Sequence, residues 1–394
     1  MDDTSILTIN GGSSTIKFAL FRIGQTLTRG LRGTVEWIGH RATLTFTDPA
    51  RDPPHGQRDG EFTEEEAVTV LLDWIDAQPA STTIRAVGHR LVHGMKHRDP
   101  EPVTPALIEA LTRIAPNDPE HLPRELGLLE AFARRHPELP QVACFDTAFH
   151  RTMPAVARTL PIPRRYQAMG VERYGFHGLS YAYLMEALRT LGDPAATTGR
   201  VILAHLGSGA SMAAVRAGQS IDTSMSFTPT SGLPMGTRSG DLDPGIVNFL
   251  ARTEHMTAAQ FQHLVTHESG LLGMSATSAD MRELLAREAT DTRAREAIAV
   301  FCYQGKKWIG AFAAALGGLD TLVFAGGIGE HAPLVRSRMC LGLGFLGIEL
   351  DERRNTANEG VISSAASRVT VRVIRTDEEF MIAESTAHVL DMHH

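Results

Sequence analysis

The spacing of apolar residues along the chain switches repeatedly between a period of two and a period near 3.6, and each switch marks an element. Ile6-Leu7-Thr8-Ile9, then Asn10-Gly11-Gly12-Ser13-Ser14, then Thr15-Ile16-Lys17-Phe18-Ala19-Leu20-Phe21 predict strand, tight turn and strand. This is the pattern of a β-hairpin, not of the strand-to-helix loop found in P-loop proteins. Val201 to Leu206, Gly207-Ser208-Gly209 and Ala210 to Val215 repeat it far downstream, so the chain uses one structural idea twice. A helix is predicted over Glu64 to Ala77, where Ala67, Val70, Leu71 and Trp74 form an apolar stripe. A longer one runs from Arg293 to Leu316 and stops at Gly317-Gly318. Asp320 to Ala325 reads as a buried strand entering the turn Gly326-Gly327-Ile328-Gly329-Glu330, and Val142 to Phe145 as another strand. Strands alternating with helices predict an α/β protein whose sheets are covered on both faces. Residues 47–62, rich in Asp, Pro, Gly and Arg, are expected as a surface loop, and the Pro-rich run Thr152 to Pro163 as the crossing between domains.

Composition narrows the class without changing that picture. At roughly 150 residues per domain, 394 residues imply two domains, three at most. Hydrophobic residues at 43% and charged residues at 21% exclude disordered and fibrous chains. Acidic residues outnumber basic ones, 45 to 38, so a broad cationic surface for nucleic acid or anionic lipid is not expected, while a local anion site is. Cys144, Cys302 and Cys340 lie far apart without CxxC spacing, which fits buried thiols in a reducing compartment. Met1-Asp2-Asp3 leads straight into an apolar run without the order of a signal peptide, and no stretch reaches the about 18 apolar residues of a membrane span. A cytoplasmic enzyme is therefore expected.

Some motifs carry little. Gly342-Leu343-Gly344-Phe345-Leu346-Gly347 has GxGxxG spacing, but a helical pattern precedes it where a dinucleotide site requires a strand. His89, His93 and His97 are four apart, yet their β-branched and glycine neighbours predict strand and turn, not a metal-binding helix. Others carry more. A hairpin tip of glycines and hydroxyl residues presents N–H groups and short donors to phosphate oxygens, with Lys17 adding a cation and Asn10 an amide oxygen for metal or water. Arg90 follows an apolar run in Gly88-His89-Arg90-Leu91-Val92-His93-Gly94, Asp146 follows the Val142 to Phe145 strand, and Arg238 is bracketed by Gly236 and Gly240. Each alone is equally a turn or a structural ion pair. Together they supply guanidinium groups, a carboxylate and a phosphate cradle, the equipment of phosphoryl transfer.

Seven segments in order carry a resemblance to a known family: Thr8 to Lys17, Gly88 to Gly94, Phe145 to His150, Arg173 to Gly178, His205 to Ser211, Met235 to Asp241 and Gly326 to Glu330. The sequence resembles the acetate kinase family, within the superfamily of acetate and sugar kinases, Hsp70 and actin. The resemblance implies an α/β fold of two duplicated ribonuclease H-like (actin-like ATPase) domains with a cleft between them. One would comprise residues 1–150 plus about 382–394, and the other, nucleotide-binding, residues 151–381. It implies reversible transfer of a phosphoryl group from ATP to acetate, giving acetyl phosphate and ADP, with Mg2+ or alternatively Mn2+, in a cytoplasmic homodimer. Asn10 and Glu378 would hold the metal, with Glu379 adjacent. Lys17, Ser13 and Ser14 would face the phosphates. Arg90 and Arg238 would grip the carboxylate and the transferring group, and His177 would donate to its equatorial oxygens. Asp146 occupies the family's acid/base position, but acetate is already ionised at neutral pH, so its larger role is expected to be orienting Arg90, water or Mg2+. His205, Leu206, Gly207, Ser208, Gly209, Asp280, Met281, Arg282, Gly326, Gly327, Ile328, Gly329 and Glu330 would line the ATP pocket.

The chain departs from the family pattern at Ser208, where Asn is usual, at His331, also usually Asn, and at Ala115-Pro116-Asn117-Asp118-Pro119-Glu120-His121-Leu122-Pro123, which replaces an LHNP segment near the acid. His121 takes the place of that segment's histidine only if the loop is shifted. These changes bear on acyl-chain preference more than on reaction type. A propionate or butyrate kinase would share the chemistry with a wider pocket. An actin- or Hsp70-like ATPase without an acid substrate would have no use for Arg90 and Arg238.

Overall fold

The computed structural model describes residues 4–12, 15–38, 41–49, 55–61, 64–118 and 121–392. The chain divides into two units, Met1–Ala148 with Asp377–His394, and Phe149–Thr376.

The first unit is built on an eight-stranded sheet in the order β5-β4-β3-β2-β1-β6-β8-β7. Its strands are β1 (Ser5–Gly11), β2 (Thr15–Arg22), β3 (Thr28–Ile38), β4 (Arg41–Thr47), β5 (His55–Glu61), β6 (Ile84–Leu91), β7 (Glu101–Pro102) and β8 (Gln141–Phe145). β1 to β5 form an antiparallel meander, and β6 and β8 add in parallel beside β1. Period-two alternation sends Leu7, Ile9, Ile16 and Phe18 to one face, where they pack on Leu71 and Trp74 of the Glu64–Asp76 helix and Leu128 and Phe132 of the Leu122–Arg135 helix. Ile6, Ala19, Phe21 and Ala86 point the other way, onto Ala383 and Ala387 of the C-terminal helix Glu378–Val389. The approach is close: a Cβ at Gly88 would collide with the side chains of Ile382 and Thr386. Only glycine lets helix and strand meet there.

The second unit has a five-stranded sheet, β11-β10-β9-β12-β13. Its strands are β9 (Arg200–Leu206), β10 (Ala210–Arg216), β11 (Gln219–Thr223), β12 (Thr321–Ala325) and β13 (Thr370–Val373). Two antiparallel pairings followed by two parallel ones match β3-β2-β1-β6-β8 position for position. The two units therefore share one topology, as expected of duplicated actin-like ATPase domains. Tyr181, Leu184, Met185 and Leu188 of the Gly178–Thr190 helix cover Val201, Leu203, Ala213 and Val323 on one face. The long helix Thr292–Leu316 packs against β9 and β10, and ends at Gly317 in the left-handed conformation, φ 71°. Each large apolar side chain so buried contributes about 1.5 to 3 kcal/mol.

Two expectations change. The segment expected as a loop over residues 47–62 contains β5, paired with β4 from His55↔Thr47 to Glu61↔Arg41. β5 is an edge strand of the polar sequence His-Gly-Gln-Arg-Asp-Gly-Glu, so it has no apolar alternation to reveal it, and its backbone pairing alone makes it a strand. Gly326 to Glu330, expected as a turn, opens the short helix Gly326–His331 directly after β12. Among the described residues no helix is long and apolar enough to cross a membrane, and the three cysteines are free and buried.

Candidate active site

Ligands of α/β sheets collect beyond the carboxyl ends of parallel strands. In the first unit β1, β6 and β8 run in parallel, with Ile9 beside His89 and Arg90 beside Cys144, so Asn10, Arg90 and Asp146 emerge at one sheet edge. Arg90 donates from Nε and Nη2 to Asp146 Oδ2, at 3.1 and 2.6 Å, and from Nη1 to the Gly11 carbonyl at 2.9 Å. Its Nη1 also lies 3.5 Å from Oε1 of Glu125, a side chain only 2% exposed whose Oε2 accepts from the Val92 N–H at 2.9 Å. Burial opposes the Arg90 charge, but Asp146, Glu125 and Glu378 outweigh it and raise its pKa. Burial also raises the pKa of Asp146 against the pull of Arg90, and the buried Asp146 Oδ1 has no hydrogen-bond partner among the described residues. Glu125 is pushed up to about 8 by burial, opposed by Arg90 and the Val92 N–H. Three groups, Asp146, the Gly11 carbonyl and Glu125, thus hold the Arg90 guanidinium in one orientation and leave an Nη2 N–H for a bound oxyanion.

Lys17 stands directly opposite Asn10 across the β1–β2 hairpin, so the two side chains share a face, with Lys17 exposed. Ser13 and Ser14, expected at the phosphates, lie outside the described residues. The Asn10 amide donates from Nδ2 to Glu378 Oε2 at 3.0 Å and to Glu379 Oε1 at 3.4 Å. Both glutamates sit in the first turn of the C-terminal helix, whose dipole favours negative charge there, and Asp377 caps that helix through the Phe380 N–H while pairing with Arg29. His121 is held by Asp118, Nδ1 to Oδ1 at 3.1 Å. A cavity of about 750 Å³ in this unit is lined by Gly11, Gly12, Ile16, His121, Glu125 and Leu128 among others.

In the second unit the β9–β10 turn Gly207-Ser208-Gly209 lies beside the Gly326–His331 helix: a Cβ on Gly207 would stand 3.9 Å from the Gly327 nitrogen. Gly326 has φ 76° and its missing Cβ makes room for the Leu206 carbonyl, so no side chain is tolerated there. Glu330 Oε1 accepts from the Gly326 N–H at 3.0 Å and the Thr376 N–H at 3.4 Å, closing its own turn. Behind it Arg336 is fully buried and donates to the carbonyls of Gly329, Glu330 and Asn355 and to the side chains of Asn355 and Asn358. His177, φ 59°, precedes the Gly178–Thr190 helix and stacks on His205 with ring centroids 4.3 Å apart. A Cβ on Gly209 would lie 3.2 Å from His177 Nε2 and 3.7 Å from Arg238 Nη1, so both side chains border that backbone. Arg238 donates to the Pro229 carbonyl at 2.9 Å. The Gly236 N–H donates to the Ser208 carbonyl at 3.0 Å, and Gly236 also adjoins Ala279, which precedes Asp280-Met281-Arg282. Asp280 caps the Met281–Arg287 helix and pairs with the exposed Arg282 at 2.6 Å, while Met281 is buried. His331 is exposed at the surface.

A sequence model of the Acetokinase family matches residues 5–384. The chain belongs to the acetokinase family. The acetate kinase of Methylocella silvestris is 44% identical over 399 residues, covering 98% of each chain. The crystal structure of Porphyromonas gingivalis acetate kinase superposes with a TM-score of 0.88 at 37% identity, over 98% of this chain and all of that one. A propionate kinase structure from Francisella tularensis subsp. tularensis gives 0.91 at 34% identity, with the same coverage.

The acetokinase reaction implies Mg2+, and the residues at Asn10 fit that ion. They are an amide and two carboxylates at the N-terminus of a helix, the hard oxygen donors Mg2+ takes. An amide rotation exchanges Oδ1 for Nδ2 without moving the backbone. Among the described residues no cluster of three or more His, Cys, Asp or Glu is placed to hold a metal. Sequence reasoning missed Glu125, Ser180, Ser211 as a bonding partner, Tyr181 and Arg336. Ser211 closes the glycine-rich segment His205 to Ser211, but the other four lie on helices, and only the tertiary fold brings them to site residues.

Proposed function

We propose that this acetokinase interconverts acetate and acetyl phosphate with ATP and ADP, using the first unit for the acid and metal and the second for the nucleotide. The observation that carries the proposal is the Arg90 guanidinium, fixed by Asp146, the Gly11 carbonyl and Glu125 with an N–H to spare. A shape-changing ATPase without an acid substrate has no need of it.

An acetate oxygen attacks the γ-phosphorus, an O–P bond forms, the bond to the β,γ-bridging oxygen breaks, and ADP leaves. The carboxylate needs no base, and Asp146 is already engaged by Arg90, so Asp146 acts by orienting that side chain. Arg90 positions the carboxylate, while Arg238 and His177 donate to the phosphoryl oxygens, whose charge must be met as it spreads in the transition state. Lys17 and the hairpin N–H groups face the phosphates. The Gly207–Gly209 turn and the Gly326–His331 helix line the nucleotide, with Asp280-Met281-Arg282 alongside. Asn10 and Glu378 would hold Mg2+, or alternatively Mn2+, which would supply positive charge to neutralise the phosphates. Homodimerisation in the cytoplasm is part of the same reading.

Propionate, the acid named for one of the similar solved structures, is the alternative substrate. One methylene in an apolar pocket is worth about 1 to 3 kcal/mol, so kcat/KM across formate, acetate, propionate and butyrate ranks the acids. The deciding assay is ADP release with ATP, Mg2+ and those acids, coupled to hydroxylamine trapping of the acyl phosphate. Trapped product is expected; ADP release with no trapped product from any acid would overturn the assignment.

A further inference from the structure

Tyr181 lies four residues after His177, and its N–H closes the first helical turn on the His177 carbonyl, which puts both side chains on one face of the helix. That face meets β10, where Ser211 stands between them: Ser211 Oγ is 2.8 Å from His177 Nδ1 and in a short hydrogen bond with Tyr181 Oη. Tyr181 and Ser211 are both fully buried. We propose that Tyr181 and Ser211 form a proton-ordering relay that fixes the tautomer of His177, so that Nδ1 is always an acceptor and Nε2 always carries the hydrogen presented at Gly209. The inference rests on the role given to His177 above and assigns two positioning residues to the same reaction.

A buried phenol must donate its one hydrogen, and among the described residues Ser211 Oγ is the acceptor within reach of Tyr181 Oη. Burial raises the Tyr181 pKa, so the phenol keeps that hydrogen. Ser211 has then accepted from Tyr181, and its own single hydrogen points at His177 Nδ1. Were Nδ1 protonated instead, Ser211 would receive two donors and its own O–H would be buried with nowhere to go, a costly arrangement. The hydrogen of the neutral imidazole is therefore on Nε2, the nitrogen nearest the Gly209 backbone and Arg238. His205, stacked on His177, is held in the same manner, with Ser180 Oγ 2.8 Å from its Nδ1 and 2.7 Å from Thr376 Oγ1.

The test is ¹⁵N NMR of histidine-labelled full-length protein with the His177 signals assigned by loss in His177→Gln. A bare-nitrogen shift at Nδ1 and an N–H shift at Nε2 are expected for the wild type. In Tyr181→Phe, which keeps the ring, Ser211 is free to turn. The two nitrogen signals should move toward exchange averaging and kcat fall by about ten-fold, the effect of one buried hydrogen bond, with KM for ATP and acid unchanged within about two-fold. A wild-type signal showing hydrogen on Nδ1, or a Tyr181→Phe spectrum and kcat equal to wild type, would overturn the relay. If Tyr181→Phe fails to fold, the wild-type spectrum and Ser211→Ala, which removes the donor to Nδ1, decide. An ordered tautomer in a protein that phosphorylates no acid would instead refute the function and leave the relay standing.

Discussion

Replacing Glu125 by glutamine should make the protein more stable at neutral pH, although it removes a carboxylate 3.5 Å from an arginine. The magnitude follows from the burial of Glu125, whose pKa rises on folding from its ordinary 4.5 to about 8. Below about 4.5 both folded and unfolded chains are protonated at this position, and the full stability is present. As pH rises from there the unfolded chain ionises while the folded one holds its proton, so stability falls until the folded group also ionises near 8. At 1.36 kcal/mol per pH unit the loss reaches about 3 kcal/mol by pH 7, but stays under about 1 kcal/mol at pH 5. Glutamine has nearly the same shape and does not titrate; its one oxygen accepts from the Val92 N–H, and its NH2 takes the place of the oxygen that lies 3.5 Å from Arg90 Nη1. Arg90 keeps its two bonds to Asp146 and its bond to Gly11, so activity should change by only a few-fold.

The measurement is the difference between Glu125→Gln and wild type in thermal and urea unfolding at pH 5, 6 and 7, because titrations common to both proteins cancel in the difference. Near pH 5 the two should nearly coincide. At pH 7 the variant should melt higher, by roughly 5 to 10 °C for a unit of this size. A difference independent of pH, or a variant less stable than wild type at pH 7, would mean that Glu125 is ionised and paired with Arg90, and the reasoning would fail.

Arg238→Ala should lower kcat about 10³-fold or more, as for other arginines that meet phosphoryl charge, with an unchanged circular dichroism spectrum; near-normal turnover would remove Arg238 from the mechanism. Arg336→Leu removes the guanidinium that donates to the Gly329 and Glu330 carbonyls behind the Gly326–His331 helix, so it should raise KM for ATP while KM for the acid stays put, read from crossed initial-rate series. Gly88→Ala forces a methyl group into Ile382 and Thr386 and should cost about 1 to 3 kcal/mol in urea unfolding, without changing relative rates among acids.

The residues legible in the sequence share one property: their context is local. Asn10, Arg90, Asp146 and the Gly207–Gly209 turn all directly follow or end an apolar run, and strand ends are where ligands gather. The two hairpins were legible because glycine tips and period-two alternation coincide. β5 was not, because a polar edge strand is held by backbone bonds to β4 that leave no trace in its side chains. Glu125 was not, because it lies on a helix whose pattern explains its neighbours Leu126, Leu128 and Leu129, and only packing against β6 makes it a partner of Arg90. Tyr181 reads as one more apolar position of the Gly178–Thr190 helix until Ser211 is seen at its hydroxyl.

The helix Glu378–Val389 completes a sheet begun more than 350 residues earlier in the chain. On a ribosome, residues 1–148 emerge first, but Ile6, Ala19, Phe21 and Ala86 have no cover until residues 378–389 follow, after the whole of 149–376 has been made. At about 5 to 20 residues per second, that interval is roughly 10 to 50 s, during which one face of the sheet is an exposed apolar surface. The nascent first unit is thus a natural client for chaperones. Glu378, proposed for the metal, also arrives last, so activity begins only once synthesis has passed it, and a chain broken off before residue 378 would be both sticky and inert.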